Sequence, residues 1–147
     1  MPDQARILII EDDPDTIQLL QVVLRTGGYL PVQALGGKAG LQLLKENGAE
    51  LVLLDLMMDD IDGWTVLEQI RQDESLSAVP VIILSVKNPL EDPRRLKAHA
   101  GMFDDYVVKP FNVRDLLSRV ARALEKGRTS LPAGTTPAAD GFAQGQP

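Results

Sequence analysis

Four places in this chain put a chemically useful side chain at the end of a short apolar run. Arg6-Ile7-Leu8-Ile9-Ile10 runs into Glu11-Asp12-Asp13, and Leu51-Val52-Leu53-Leu54 runs into Asp55. Val81-Ile82-Ile83-Leu84 is followed by Ser85, and Tyr106-Val107-Val108 by Lys109-Pro110. If the first two runs lie side by side, Asp12, Asp13 and Asp55 converge. Carboxylates so placed raise one another's pKa unless a cation neutralises them. Oxygen-only donors of this hardness suit Mg²⁺ better than zinc or copper. The set is suited to holding a phosphoryl group. Asp55 is the nucleophile that would form an acyl phosphate, with Mg²⁺ on Asp12 and Asp13 screening the charge. Lys109 supplies a cation to one phosphoryl oxygen, and the Ser85 hydroxyl a hydrogen bond to another.

Such residues need elements to aim them. Each run is short, rich in branched aliphatics and ends at a polar group, as a buried parallel strand does when its C-terminal end opens onto a site. Between the runs, apolar residues recur at helical spacing. Ile17, Leu20, Val23 and Leu24 predict a helix over 15–26, stopped by Gly27-Gly28. Leu41, Leu43 and Leu44 predict one over 38–46; Trp64, Leu67 and Ile70 predict another over 64–72. Residues 91–100 read as a short fourth helix. Residues 112–125 read as a strong fifth, N-capped by Asn112. A second strand is expected over 30–35. Alternating strands and helices predict an α/β fold, a parallel sheet covered on both faces. The flavodoxin-like (βα)5 doubly wound order 2-1-3-4-5 would set strands one and three side by side, as the acids require. Residues 1–126 are expected to form this single domain. Residues 127–147, rich in Pro, Gly, Ala and Thr, are expected to form a disordered tail, or a linker to an output domain.

Taken together and in register, these residues resemble the receiver domain of two-component response regulators. Glu11-Asp12-Asp13, Asp55-Leu56-Met57-Met58 with Gly63, Ser85, and Tyr106-Val107-Val108-Lys109-Pro110-Phe111 carry the resemblance, which runs through residues 6–126. A lone pair of acids or a lone Lys-Pro-Phe would be weak; the ordered set is specific. The resemblance implies that Asp55 is phosphorylated by a histidine kinase or a histidine phosphotransfer protein. It implies a Mg²⁺ site on Asp12, Asp13, Asp55 and the Met57 main-chain carbonyl, with Lys109 touching the phosphoryl group. It also implies switch roles for Ser85 and Tyr106 and a cis Lys109-Pro110 peptide. Arg119, Arg122, Asp104 and Asp105 lie where related receivers pair across a dimer, so a homodimer through the fourth helix, fifth strand and fifth helix is a further expectation. Three departures stand out: Asp59 where proline is common, Val86 where a small residue is usual, and extra residues around Gly101-Met102-Phe103. Asp59, with Asp60 and Asp62, points to a looser, more acidic loop. Val86 is expected to crowd Asp55.

Composition narrows the classes. The chain has 147 residues, no cysteine and 44% hydrophobic residues with few aromatics. A disulfide framework and thiolate metal sites are excluded. No signal peptide is seen and no apolar run approaches the roughly 20 residues of a bilayer span, so a soluble, cytoplasmic protein without membrane contact is expected. The net charge of −6 is uneven, the acids concentrated before residue 94 and the Lys/Arg after it. No stripe of basic and aromatic residues marks a nucleic-acid surface, so no such partner is expected.

Each residue also has a plainer reading. The acids at 11–15 would serve a helix start through its dipole, at about 0.3–1 kcal/mol each. Lys109 would snorkel to water, and Ser85 ends many strands. These readings lose to the combination rather than to any single residue. The lone histidine, His99, reads as a surface residue, and Met57 and Met58 as packing. Two other function classes compete with a phospho-acceptor that is not an enzyme in the ordinary sense. One is a scaffold indifferent to phosphorylation. The other is a Mg²⁺-dependent phosphohydrolase using an aspartyl phosphate, which would want an acid two residues after Asp55; Met57 stands there and cannot carry protons.

Overall fold

The computed structural model describes residues 4–129 of the chain. The expected tail lies, from residue 130 onward, outside the described residues. Five strands form one parallel sheet: β1 (Arg6–Glu11), β2 (Leu30–Leu35), β3 (Leu51–Leu54), β4 (Val81–Ser85) and β5 (Asp105–Val108), in the order β2-β1-β3-β4-β5. The helices are α1 (Pro14–Thr26), α2 (Gly37–Asn47), α3 (Gly63–Gln72), α4 (Pro93–Ala98) and α5 (Val113–Thr129).

Strand side chains alternate between faces, so each apolar run feeds two cores. Ile7, Ile9, Leu51, Leu53, Ile82 and Leu84 pack with α1 and α5, against Ile17, Leu20, Leu24, Leu116, Val120 and Leu124. Leu8, Ile10, Val52, Leu54, Val81 and Ile83 pack on the other face with α2 and α3, against Leu41, Leu44, Trp64, Leu67 and Ile70. Burial on both sides is why these strands read as continuous apolar runs rather than alternating ones. Register sets the ends level: Ile10 pairs with Leu54, and Ser85 with Val108. The C-terminal edge therefore gathers Glu11 to Asp13, Asp55, Ser85 and Lys109.

Two elements differ from expectation. The fourth helix is a 3₁₀ turn, Pro89–Glu91, followed by six α-helical residues of which none is buried. The extra residues after it are used: Gly101 takes φ +85°, and Met102 and Phe103 pack against the α2–α3 core. α5 continues past residue 125 and through Gly127, which does not end it. A Cβ at Gly127 would sit 3.2 Å from Pro80, so the glycine suits a close approach to the strand beneath.

Candidate functional site

Asp55 and Glu11 lie side by side at the sheet edge, because the Asp55 amide donates to the Ile10 carbonyl at 3.0 Å. Both are buried, as is Ser85. Glu11 Oε2 accepts from the amides of Asp12 and Asp13, each at 3.2 Å, while Lys109 Nζ stands 2.7 Å from Glu11 Oε1 and 4.0 Å from Asp55 Oδ1. Glu11, Asp12 and Asp55 each offer an oxygen within 4.8 Å of the others. Burial, then the charge of Glu11, push the Asp55 carboxyl up to about 7, against the pull of Lys109.

That trio differs from the expected Asp12, Asp13 and Asp55. Asp13 is exposed and turned to the start of α1, where its carboxylate accepts from Thr16 Oγ1 at 2.6 Å and Thr16 N at 3.3 Å. The Thr16 hydroxyl bond holds its carboxyl below the usual range. Among the described residues the cluster thus contains Glu11 in place of Asp13. The signal lay in the next residue: Asp13-Pro14 is an N-cap followed by a first-turn proline, a pair that commits Asp13 to the helix.

The loop after Asp55 is tied down. Asp59 N donates to Asp12 Oδ2 at 3.0 Å. The Asp60 carboxylate accepts from Gly37 N and Lys38 N at 3.0 and 2.9 Å, capping α2, and Asp62 caps α3 through Thr65 N. Gly63 lets α3 start directly beneath this loop, because a Cβ there would fall onto the Asp55 carbonyl. Met58 is buried, but Met57 is 57% exposed, as is Val86 at 63%, so Met57 and Val86 both face solvent. Across the site, Ser85 Oγ accepts from Lys87 N at 3.3 Å, and the Tyr106 hydroxyl donates to the Lys87 carbonyl at 2.6 Å. The Lys109-Pro110 peptide is cis. His99 is not a surface residue: it is buried against Trp64.

The profile of the response regulator receiver domain family matches residues 7–121. This chain belongs to that family. The receiver is 37% identical over 127 residues to the DNA-binding dual master transcriptional regulator RpaA of Synechocystis, covering 86% of this chain and 52% of that protein. It is 36% identical to the DNA-binding response regulator MtrA of Mycolicibacterium smegmatis, covering 84% and 52%. The chain therefore spans about half the length of these curated relatives. Among solved structures, the response regulator TrrA of Thermotoga maritima in complex with Mg²⁺ and BeF aligns with a TM-score of 0.72 and 28% identity, covering 82% of this chain and 99% of that one. The receiver thus belongs to two-component signalling, and its relatives are regulators rather than ordinary enzymes. No helix among the described residues is long and apolar enough to cross a membrane.

Proposed function

We propose that this receiver accepts a phosphoryl group on Asp55 from the phosphohistidine of a histidine kinase or histidine phosphotransfer protein. The observation that carries the reading is the convergence of Glu11, Asp12 and Asp55 beside Lys109 at the sheet edge. An Asp55 oxygen attacks phosphorus in line, the new O–P bond forms as the donor's P–N bond breaks, and the departing imidazole keeps the P–N electron pair and takes a proton. Lys109 lies close enough to Asp55 to meet a phosphoryl oxygen, and Ser85 offers a hydroxyl to another.

The residues fit Mg²⁺. Their donors are all carboxylate oxygens, and Asp55 is held partly protonated by burial beside Glu11, a repulsion that a divalent cation relieves. Glu11, Asp12, Asp55 and the Met57 main-chain carbonyl would hold it, with Asp13 left to cap α1. When bound, the ion supplies positive charge against the phosphoryl oxygens. Ser85 and Tyr106 are the proposed switch pair, changing the surface of α4, β5 and α5. A homodimer on that face would have to exchange the Arg119 pairs that each chain makes internally, to Asp105 at 2.6 Å and Asp115 at 2.9 Å.

The same reading takes residues 1–126, with α5 running on to Thr129, as the receiver, in the cytoplasm and acting through proteins. DNA binding, named for relatives about twice as long, is assigned to neither face of this domain, which shares a chain with 21 acids against 15 Lys/Arg. Met57 at the second position after Asp55 speaks against a phosphohydrolase. Intact-mass measurement after incubation with phosphoramidate or acetyl phosphate, with and without Mg²⁺, tests the proposal. One phosphoryl group requiring both Mg²⁺ and Asp55 is expected. Equal labelling of Asp55→Asn, or none with either donor, would turn the reading toward a scaffold.

A further inference from the structure

One buried titratable side chain takes no part in this chemistry. His99, the single histidine of the chain, closes α4 and is 6% exposed. Its Nδ1 lies 2.7 Å from the Arg95 carbonyl oxygen and its Nε2 2.6 Å from Glu68 Oε2 on α3. A carbonyl and an ionised carboxylate only accept hydrogen bonds, so both ring nitrogens must donate, and the ring that fits is the imidazolium. In the neutral ring one nitrogen turns a lone pair toward an acceptor and that bond is lost.

α4 has little else to hold it. None of its own residues is buried. Arg95 pairs with Asp62 at 3.8 Å and with Asp92 at 3.9 Å, and Lys87 reaches Asp92 at 4.0 Å, all in half-exposed geometry. Of the charged groups on the packed elements, Arg71 of α3 is occupied by the Met102, Ser77 and Val79 carbonyls and by Asp104. Arg95 is occupied by the two aspartates. Glu68 is the charged side chain that meets the ring.

His99 also ends an aromatic run. It stacks on Trp64 with centroids 4.5 Å apart; Trp64 meets Phe103 edge-on at 6.2 Å, and Phe103 meets Tyr106 edge-on at 6.2 Å. Close-packed rings cannot shift singly, so a displacement at one end is felt at the other.

We propose that His99 is a proton-dependent clasp of α4 onto α3, and that the Trp64–Phe103 run ties its closure to the position of Tyr106 beside the phospho-acceptor site. The second half rests on the reading of Asp55 above. The clasp closes when the ring carries the second proton and opens when it loses it, because only the cation makes both bonds.

Trp64 is the single tryptophan, and a stacked imidazolium quenches indole emission. Its fluorescence is followed against pH in the full chain, with and without Mg²⁺ and beryllofluoride, with bound fluoride monitored by ¹⁹F NMR and folding by circular dichroism. Emission is expected to rise with pH in a one-proton step that is absent from His99→Gln and displaced to lower pH in Glu68→Gln. Beryllofluoride is expected to displace the wild-type step. A step that survives in His99→Gln, or that a folded Glu68→Gln leaves in place, overturns the clasp. Bound fluoride with an unmoved step overturns the coupling alone. No bound fluoride overturns the phospho-acceptor reading and the coupling with it, while the Glu68→Gln comparison still decides the clasp.

Discussion

Lys109 is bonded to Glu11 rather than to Asp55: its ammonium stands 2.7 Å from the glutamate oxygen and 4.0 Å from the aspartate. The lysine thus holds one acid of the pocket and leaves the other with an incompletely balanced charge. Buried carboxylates in that state recruit a cation or a proton.

The first prediction separates Glu11 from Asp13. Glu11→Gln is expected to weaken Mg²⁺ binding about 10–100-fold, the scale on which a metal site loses affinity when a supporting group is removed. Asp13→Ala should leave Mg²⁺ affinity unchanged and destabilise the start of α1 by removing its N-cap. Calorimetric Mg²⁺ titration and urea unfolding of both variants check this, and the reverse pattern would return Asp13 to the metal.

The second concerns pH. The folded chain holds the Asp55 proton up to about 7, whereas the ordinary value is 3.8. Between those values the native state binds more protons than the unfolded one, so Asp55 makes stability fall as pH rises across that span. Asp55→Asn carries no charge at any pH. In Mg²⁺-free buffer it is expected to match wild type near the acid end and to exceed it by about 1–4 kcal/mol above pH 7. Urea unfolding at a series of pH values measures the gap; a constant difference would refute the assignment.

Asp60 behaves oppositely. Its carboxyl is held below the usual range, chiefly by the Lys38 amide. A depressed acid contributes stability that is present above its unfolded pKa and lost as pH falls through the folded one. Asp60→Ala should therefore destabilise the start of α2 near neutrality, with the cost shrinking as pH falls through the carboxylate range. Thermal unfolding across that range reports it, and a loss that persists in acid would mean that the cap is not the cause.

Gly63 is the steric test. A methyl there would meet the Asp55 carbonyl and, at 2.6 Å, the Leu56 Cα. Neither is a side chain that can swing away. Gly63→Ala is expected to destabilise at or beyond the upper end of the roughly 1–3 kcal/mol typical of overpacking, and to lower phosphoryl incorporation by displacing Asp55. Denaturant midpoints and intact mass read the two effects, and a variant as stable and as reactive as wild type would show that the loop has room.

Most of the fold was legible because its three central strands, β1, β3 and β4, are buried on both faces. Ile7 to Ile10, Leu51 to Leu54 and Val81 to Leu84 have no polar residue to spare, and a sheet of that kind needs helices on either side. The weak places in the reading were the weakly packed ones. The fourth helix is short and buries none of its own residues, so no apolar spacing could outline it. The fifth helix runs past residue 125, where its apolar spacing ends, and Gly127 within it answers a contact with Pro80.

Residue order alone was enough for the parallel α/β architecture, the strand-end positions of Asp55, Ser85 and Lys109, and the need for a cation among oxygen ligands, since each follows from a short-range pattern. Which of three consecutive acids joins Asp55 does not. The Asp13-Pro14 pair marks Asp13 for the start of α1, but the meeting of Glu11 with Asp55 depends on the Ile10–Leu54 register, which no neighbouring residue encodes. The burial of His99 is of the same kind. Its partners Trp64 and Glu68 lie on α3, some thirty residues earlier, and only the packing of α3 against the end of α4 brings an imidazole, a carboxylate and an indole into contact.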